Sequence, residues 1–197
     1  MADHVALSFT ATLQVAEAPI NVLGNMTNGP VTLASPHQAP GYVIEGATTL
    51  GMLNGSDSDW RHGRETGLIT FEQATAPTAL LLYFRHGEDG YRIYLRSGPH
   101  SGEGVFTTDD GLVNVQPIEA KDPSLWVLTD VQTGEAFDLT AVEDGRREIQ
   151  LSSAQGHPLE IHNLYPVGGF LACYPRASQG TLSLIIQKRD VDWLKPA

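Results

Sequence analysis

A turn signal occurs three times along the chain in similar surroundings. Glu88-Asp89-Gly90 and Glu143-Asp144-Gly145 each precede an alternating strand, and Thr27-Asn28-Gly29 begins a weaker third copy. Asn-Gly and Asp-Gly favour tight β-hairpins because both central residues of a type I′ turn need a positive φ. The recurrence therefore predicts a chain built from three similar hairpin units.

Other elements keep one order in every unit: a strand before the turn, a loop with Pro and His, a short strand, a glycine-led segment and a closing apolar strand. The first strands are predicted at 20–23, 80–83 and 137–140, the loops at 36–37, 99–100 and 157–158, and the closing strands at 68–71, 125–128 and 182–186. The units of about 57 residues span roughly 18–74, 78–132 and 135–189, followed by a C-terminal tail at 190–197.

No segment of the chain has a sustained helical period of apolar residues. We therefore expect one all-β domain over 1–197 that closes into a barrel, although evenly spaced turns in a β-sandwich could imitate the repeat.

Composition narrows the function classes. The 12 Lys and Arg against 23 Asp and Glu give a formal net charge of −11, which disfavours nucleic acid and anionic membranes as partners. The single cysteine, Cys173, lies in an apolar run and is expected to be a buried structural thiol. The start of the chain has no basic and apolar leader, and no apolar stretch is long enough to span a bilayer. These features predict a cytoplasmic protein, with export by an unconventional route left open.

The three ordered units resemble the β-trefoil superfamily, in which six barrel strands are capped by three hairpins with pseudo-threefold symmetry. The resemblance covers about 170 of the 197 residues and rests on spacing and strand order. It implies a six-stranded barrel with a hairpin cap. It also implies one of the activities found in that superfamily, among them sugar binding in ricin-type and fungal lectins and protease inhibition.

The third unit looks most like a ricin-type lectin lobe. Asp138 in 137–139, the glycine of Asp144-Gly145 and the strand 149–151 are similar to the pattern of those lectins, whose aspartate accepts hydrogen bonds from sugar hydroxyls. Val22 and Tyr83 occupy the corresponding positions of the other units, so the resemblance assigns such a site to this lobe alone. The Gln-x-Trp mark of the family is absent from all three units.

Sugar binding needs an aromatic face for the apolar side of the ring and polar groups for its hydroxyls. In the third unit the candidates with this chemistry are Asp138, His157, His162, Tyr174 and Gln179. We expect their loops to converge if the trefoil register holds. The alternative is that Asp138 caps a turn and Tyr174 packs on the barrel.

A second candidate lies in the long polar segment 54–65, which holds Asp57, Asp59, Trp60 and Arg61. A tryptophan among polar residues either binds a ligand or folds back onto the barrel. As an exposed loop, the same segment could enter a protease cleft, as in β-trefoil protease inhibitors.

The proline–histidine loops raise the question of whether His37, His100 and His157 meet and could hold zinc. Separate loops are the more usual arrangement, and we predict no metal and no cofactor.

Enzyme motifs such as Gly-x-Ser-x-Gly and His-Glu-x-x-His are missing from the sequence. The pair Asp109-Asp110 is typical of a turn and is not expected to be a catalytic dyad.

The leading expectation is a non-catalytic lectin-like protein that binds glycans or glycoproteins through shallow sites. The alternative is a protease inhibitor acting through 54–65, or another protein-binding trefoil. Trp193-Leu194 in the tail is expected to dock on its own barrel, with a homodimer contact as the other possibility.

Overall fold

The computed structural model describes residues 3–37 and 41–193. The strands in this part of the chain are β1 (Phe9–Val15), β2 (Ala18–Pro19), β3 (Asn21–Val22), β4 (Thr27–Asn28), β5 (Thr32–Ala34), β6 (Val43–Glu45), β7 (Leu50–Leu53), β8 (Glu72–Gln73), β9 (Leu82–Gly87), β10 (Gly90–Leu95), β11 (Gly104–Thr107), β12 (Val113–Gln116), β13 (Leu125–Asp130), β14 (Arg146–Ser153), β15 (Leu159–Leu164), β16 (Gly168–Cys173) and β17 (Leu182–Arg189). Two α-helices, α1 (Leu23–Met26) and α2 (Asp57–Glu65), and a 3-10 turn (Leu139–Ala141) complete the set. Strands account for 44% of the structure and helices for 9%, so the all-β prediction is confirmed.

Six antiparallel strands close into a barrel in the order β1, β9, β10, β13, β14, β17 and back to β1. Alternate side chains of these strands point inward, as the period of two requires. Phe9 and Phe84 are fully buried inside and stack with ring centroids 4.8 Å apart. Trp126 and Leu184 fill the same core. Closure leaves no free edge in this ring of strands, and it confirms the predicted barrel.

Three hairpin-like pairs lie outside the barrel and contact one another. They are β3 with β7, β11 with β12, and β15 with β16. β7 pairs with β16, whereas single bridges join Thr49 to Asn114 and Leu112 to Ala172. Each pair therefore touches both of the others.

A second apolar cluster lies under the helical part of the chain. Ser56 begins α2 with a capping box, because its side chain accepts from the Asp59 backbone while the Asp59 carboxylate accepts from the Ser56 backbone. Trp60, only 5% exposed, packs edge-on against Phe71 in this cluster, with ring centroids 6.0 Å apart. The exposed segment predicted at 54–65 is therefore a short capped helix whose aromatic side chain faces the interior.

Several predicted elements differ from the structure. Residues 68–71 form no strand, although Ile69 and Phe71 are buried, and 137–140 leads into the 3-10 turn that Asp138 caps. The hairpin at Gly90 has Glu88 and Asp89 as its central residues, so Gly90 itself lies in the strand. A Cβ on Gly90 would come within 2.4 Å of the Trp126 carbonyl oxygen, so close backbone approach explains this glycine.

The C-terminal tail docks on the barrel as expected for its aromatic residue. The Trp193 ring lies edge-on to Tyr83 and Tyr94, and the Arg96 guanidinium lies 5.1 Å from the Trp193 ring centroid. Leu194 lies outside the described residues. Among the described residues, no helix has the length and apolar character needed to cross a membrane.

Candidate functional site

A polar cleft of about 250 Å³ lies where three turns meet beside the hairpin pairs. The turns are 107–111 between β11 and β12, 153–157 between β14 and β15, and 173–175 after β16, with His37 on the fourth side. The lining side chains are His37, Thr107, Thr108, Asp109, Ser153, Gln155, His157, Cys173, Tyr174 and Pro175. We call this site the His37–Tyr174 cleft.

The turn 108–111 is fixed from both sides. Gly111 adopts φ +83°, and its Cα lies so close to His37 and Tyr174 that an added Cβ would stand 3.2 and 3.4 Å from their Cβ atoms. The Ser35 hydroxyl donates to the Asp110 carbonyl at 2.8 Å, and the Cys173 amide donates to the Gly111 carbonyl at 2.9 Å. The cleft wall is therefore held by hydrogen bonds to segments distant in the sequence.

Two aromatic rings form one side of the cleft. The rings of His37 and Tyr174 lie 5.6 Å apart between centroids, tilted by 34°. The Tyr174 hydroxyl donates to Glu160 at 2.7 Å, and the same carboxylate is 3.1 Å from His162 Nδ1 and 3.3 Å from the Ser178 amide. Glu160 therefore fixes the direction of the Tyr174 ring from behind.

The electrostatics of this pair follow from burial and hydrogen bonding. Burial acts to raise the pKa of Glu160, but hydrogen bonds from Tyr174, His162 and the Ser178 amide outweigh it and hold that pKa below its ordinary value. Burial, together with the adjoining Glu160 carboxylate, raises the pKa of Tyr174 to about 12. Near neutral pH the pair is a neutral phenol donating to a carboxylate.

His157 and Cys173 also line the cleft. Ser153 closes the turn, since its hydroxyl accepts from the His157 amide at 3.2 Å. The Cys173 thiol donates to the His157 carbonyl at 3.3 Å, and burial raises the pKa of this thiol. A protonated, hydrogen-bonded thiol is a poor nucleophile, which agrees with a structural role for Cys173.

The five candidates of the third unit do not all converge. His157 and Tyr174 line the cleft, and His162 reaches it only through Glu160. The Gln179 side-chain amide donates to the backbone carbonyls of Leu151 and Leu159, so it ties two strands together.

Asp138 lies in a different cleft and accepts from the backbone and the hydroxyl of Thr140 at 2.9 and 2.7 Å. It caps the 3-10 turn, as the alternative interpretation stated. The lectin-like sequence pattern around this aspartate therefore does not bring it to the other candidates.

The candidates in 54–65 also separate. Asp59 is used in the capping box and Trp60 is buried. Backbone and side-chain hydrogen bonds from Ser56 lower the pKa of Asp59. Asp57 and Arg61 are exposed and border a second, larger cleft of about 630 Å³.

Two of the three repeated histidines line one cleft, without a contact between them among the described residues. His37 and His157 line the same cleft, whereas His100 pairs with Glu103 at 3.0 Å in the turn after β10. Over 3–37 and 41–193, no three His, Cys, Asp or Glu side chains are grouped closely enough to hold a metal ion.

Thr108, Asp109 and Gln155 line the cleft, and the sequence analysis assigned none of them to a site. Asp109 and Gln155 are exposed and make no hydrogen bond within the described part of the chain. In the sequence, Thr108 and Asp109 are recognisable only as part of a turn that ends at Gly111. The two turns are not equivalent in the repeat, because 107–111 follows the outer strand β11 whereas 153–157 follows the barrel strand β14, so the repeat gave no signal that they meet.

Searches of protein-family models, of curated proteins and of solved structures found no match to this chain.

Proposed function

We propose that the chain is a non-catalytic β-trefoil protein that binds carbohydrate in the His37–Tyr174 cleft. The observation that carries the proposal is the pair of aromatic rings beside the Asp109 and Gln155 side chains, which have no hydrogen-bond partner in the described part of the chain, in a space suited to one sugar ring. Glycans or glycoproteins are then the partners, and the reaction is reversible binding.

The fold part of the proposal is supported by the barrel and the three outer pairs. A closed six-stranded antiparallel barrel with three mutually contacting hairpin pairs is the arrangement expected of a trefoil. The barrel strands also divide into successive sets: β1 and β9, β10 and β13, β14 and β17. In each set the outer pair lies between the two barrel strands in the sequence. Since one fold hosts many functions, the sugar assignment depends on the cleft.

The chemistry of the cleft supports a sugar ligand. A pyranose ring has an apolar face that packs on an aromatic ring and hydroxyls that both donate and accept. The Tyr174 ring, whose hydroxyl is used by Glu160, can supply the aromatic face. Asp109 can accept from two hydroxyls, and Gln155 can both donate and accept. The volume of about 250 Å³ lies below the roughly 300–1,000 Å³ of sites for drug-sized ligands, which favours a single sugar unit.

A glycan array followed by calorimetry on the ligands it identifies tests the proposal. We expect Tyr174→Ala and Asp109→Asn to weaken binding by about tenfold each, which corresponds to about 1.4 kcal/mol. Tyr165→Ala is the matched control, because Tyr165 is 58% exposed and lies outside the cleft.

A silent array, or equal losses in all three variants, would contradict the proposal. Inhibition of serine or cysteine proteases by the same preparation, abolished by replacing 54–65, would favour the inhibitor alternative instead.

A further inference from the structure

The cleft that holds Asp138 has a volume of about 540 Å³ and lies beside the turn that joins β9 to β10. Its walls come from the turn 86–91, from residues 127–128 of β13, from the segment 136–139 and from Leu7. Clefts of this size commonly hold a small molecule. We call it the Tyr91–Asp138 cleft, and it shares no residue with the His37–Tyr174 cleft.

A phenol hydroxyl without a partner faces this cleft. Tyr91 is 5% exposed, and its hydroxyl makes no hydrogen bond with any residue that the structure describes. The indole nitrogens of Trp60 and Trp126 are also unpaired, but they are closed off from solvent. The Tyr91 hydroxyl is not among the enclosed atoms, so it opens on the cleft that Tyr91 lines. Buried polar groups are normally paired, and this oxygen therefore marks a place where a ligand group can bond.

Two neighbouring rings hold the Tyr91 side chain in position. His86 lies opposite Tyr91 in the β9–β10 pair, and the two rings are edge-on with centroids 5.1 Å apart. The Phe137 ring is also edge-on to Tyr91, at 6.4 Å. Burial and then the nearby His4 lower the pKa of His86, with Asp89 acting in the opposite direction, so this imidazole is mainly neutral at pH 7. The hydroxyl is therefore fixed before a ligand binds, beside a neutral ring.

The ionised groups that line the cleft are carboxylates. Asp89 makes no hydrogen bond or ion pair in the described part of the chain, and Asp138 uses only Oδ1 in the cap of the 3-10 turn. Glu88 pairs with Arg92 at 3.2 Å, and no described lysine or arginine lines the cleft itself. Burial and then the charge of Asp138 raise the pKa of Tyr91 to about 12, which places this carboxylate near the free hydroxyl.

The remaining wall is apolar. Leu7, Val127 and Ala136 line the cleft and keep part of their surface exposed. Carboxylates without a cation attract positive charge, and a phenol oxygen accepts a hydrogen bond. A protonated amine satisfies both, because it carries a positive charge and three donors. The apolar wall adds the requirement that the amine carry an apolar body.

We infer that the Tyr91–Asp138 cleft binds a small primary ammonium compound with a compact apolar body such as a phenyl ring. The ammonium lies between the carboxylates of Asp89 and Asp138 and donates to the Tyr91 hydroxyl. The apolar body packs on Leu7 and Val127. This second site is independent of sugar binding in the His37–Tyr174 cleft.

Titration with 2-phenylethylammonium at pH 7, followed by ¹⁵N-edited NMR, tests this inference. We expect saturable shifts in the amides of 86–91, 127–128 and 136–139. 2-Phenylethanol has the same apolar body without the charge, and it should bind more weakly by about tenfold or more. Ammonium ion, which lacks the apolar body, should be weaker by a similar factor. Nα-acetyl-lysine amide carries its ammonium on a flexible chain without a ring, and it should also bind about tenfold more weakly.

Two variants test the polar groups. Tyr91→Phe keeps the ring and removes the hydroxyl, so it should weaken 2-phenylethylammonium binding about tenfold. Its thermal unfolding midpoint at pH 7 should not fall, because the lost hydroxyl has no partner. Asp89→Asn should also weaken binding about tenfold, and asparagine suits the same turn.

Asp57→Asn is the matched control, because it removes the same charge from an exposed position of α2 outside the cleft. It should leave binding within about twofold. Tyr174→Ala should also leave it unchanged, which separates this site from the first.

Shifts that avoid the three segments, equal binding of 2-phenylethanol, or equal losses in the Asp89 and Asp57 variants would each overturn the inference. Unaltered binding by Tyr91→Phe would overturn the role of the hydroxyl. Equal binding of Nα-acetyl-lysine amide would show that the cleft takes a protein lysine, and the small-molecule assignment would then be wrong.

Discussion

Replacement of Tyr174 by phenylalanine removes one hydroxyl and tests the hydrogen bonds behind the proposed sugar site. In the native chain that hydroxyl donates to Glu160 at 2.7 Å, and the Glu160 side chain is 14% exposed. A hydrogen bond to a charged group contributes roughly 1.5–3 kcal/mol. Because His162 and the Ser178 amide still face the carboxylate, we expect Tyr174→Phe to lose about 1.5 kcal/mol of unfolding free energy at pH 7.

The loss should depend on pH in a defined direction. The pKa of Glu160 in the folded protein lies below its ordinary value of 4.5, so its ionisation stabilises the fold above that pH. This contribution disappears as the pH falls through the lowered folded-state pKa. The hydroxyl of Tyr174 is one cause of the lowering, and the difference between Tyr174→Phe and the native chain should therefore shrink from pH 7 towards pH 3.

Urea unfolding followed by fluorescence at both pH values measures these differences. Tyr165→Phe serves as the control, because Tyr165 is exposed and its hydroxyl makes no hydrogen bond within the described part of the chain. A loss below about 0.5 kcal/mol at pH 7, or a loss that is equal at pH 7 and pH 3, would show that the Tyr174 hydroxyl does not stabilise the Glu160 carboxylate.

Three further predictions concern the barrel and its surroundings. Gly90→Ala should lose roughly 1–3 kcal/mol in urea unfolding, because the new Cβ meets the Trp126 carbonyl oxygen at 2.4 Å, whereas Gly87→Ala, with no atom within 4 Å, should lose less than half as much. Equal losses would contradict the packing argument. Burial, with a smaller contribution from a nearby carboxylate, raises the pKa of Tyr91 to about 12, so its neutral form stabilises the fold below pH 10 and this contribution is lost as the pH rises through 12. Tyr91→Phe should therefore lose less stability between pH 9 and 11.5 than the native chain, and a steeper loss in the variant would count against this. Trp60→Ala should cost about 3–5 kcal/mol of unfolding free energy, and a loss under 1 kcal/mol would show that the ring is not core.

The spacing of apolar residues and the turn residues were enough to predict the all-β fold class. The alternating strand predicted after Asp89-Gly90 and the apolar strands predicted at 125–128 and 182–186 each coincide with a barrel strand, β10, β13 and β17 respectively. The prediction failed where local patterns and tertiary contacts disagreed. Residues 68–71 read as an apolar strand, but Ile69 and Phe71 are buried under α2 without strand pairing.

The missed helix shows a different limit. Nine residues are too few for a convincing helical period, and the predicted loop contained a tryptophan among charged residues. The capping box of Ser56 and Asp59 was the available signal, because a serine followed three residues later by an acceptor side chain often begins a helix.

Only part of the candidate site could be predicted from the sequence. Tyr174 and His157 carried recognisable chemistry, and both line the cleft. The sequence could not show that Asp109 and Gln155 line the same cleft, because they lie in turns of separate units and only the packing of those turns brings them together. Asp138 followed a lectin-like pattern, yet it caps a 3-10 turn elsewhere.

NMR titration of the ¹⁵N-labelled protein with simple glycosides shows whether the His37–Tyr174 cleft binds a sugar. We predict saturable shifts confined to the amides of 107–111, 153–157 and 173–175, and we expect Tyr174→Ala to raise the dissociation constant about tenfold. The absence of saturable shifts with every glycoside, or shifts that avoid these three turns, would show that the cleft is not a sugar site.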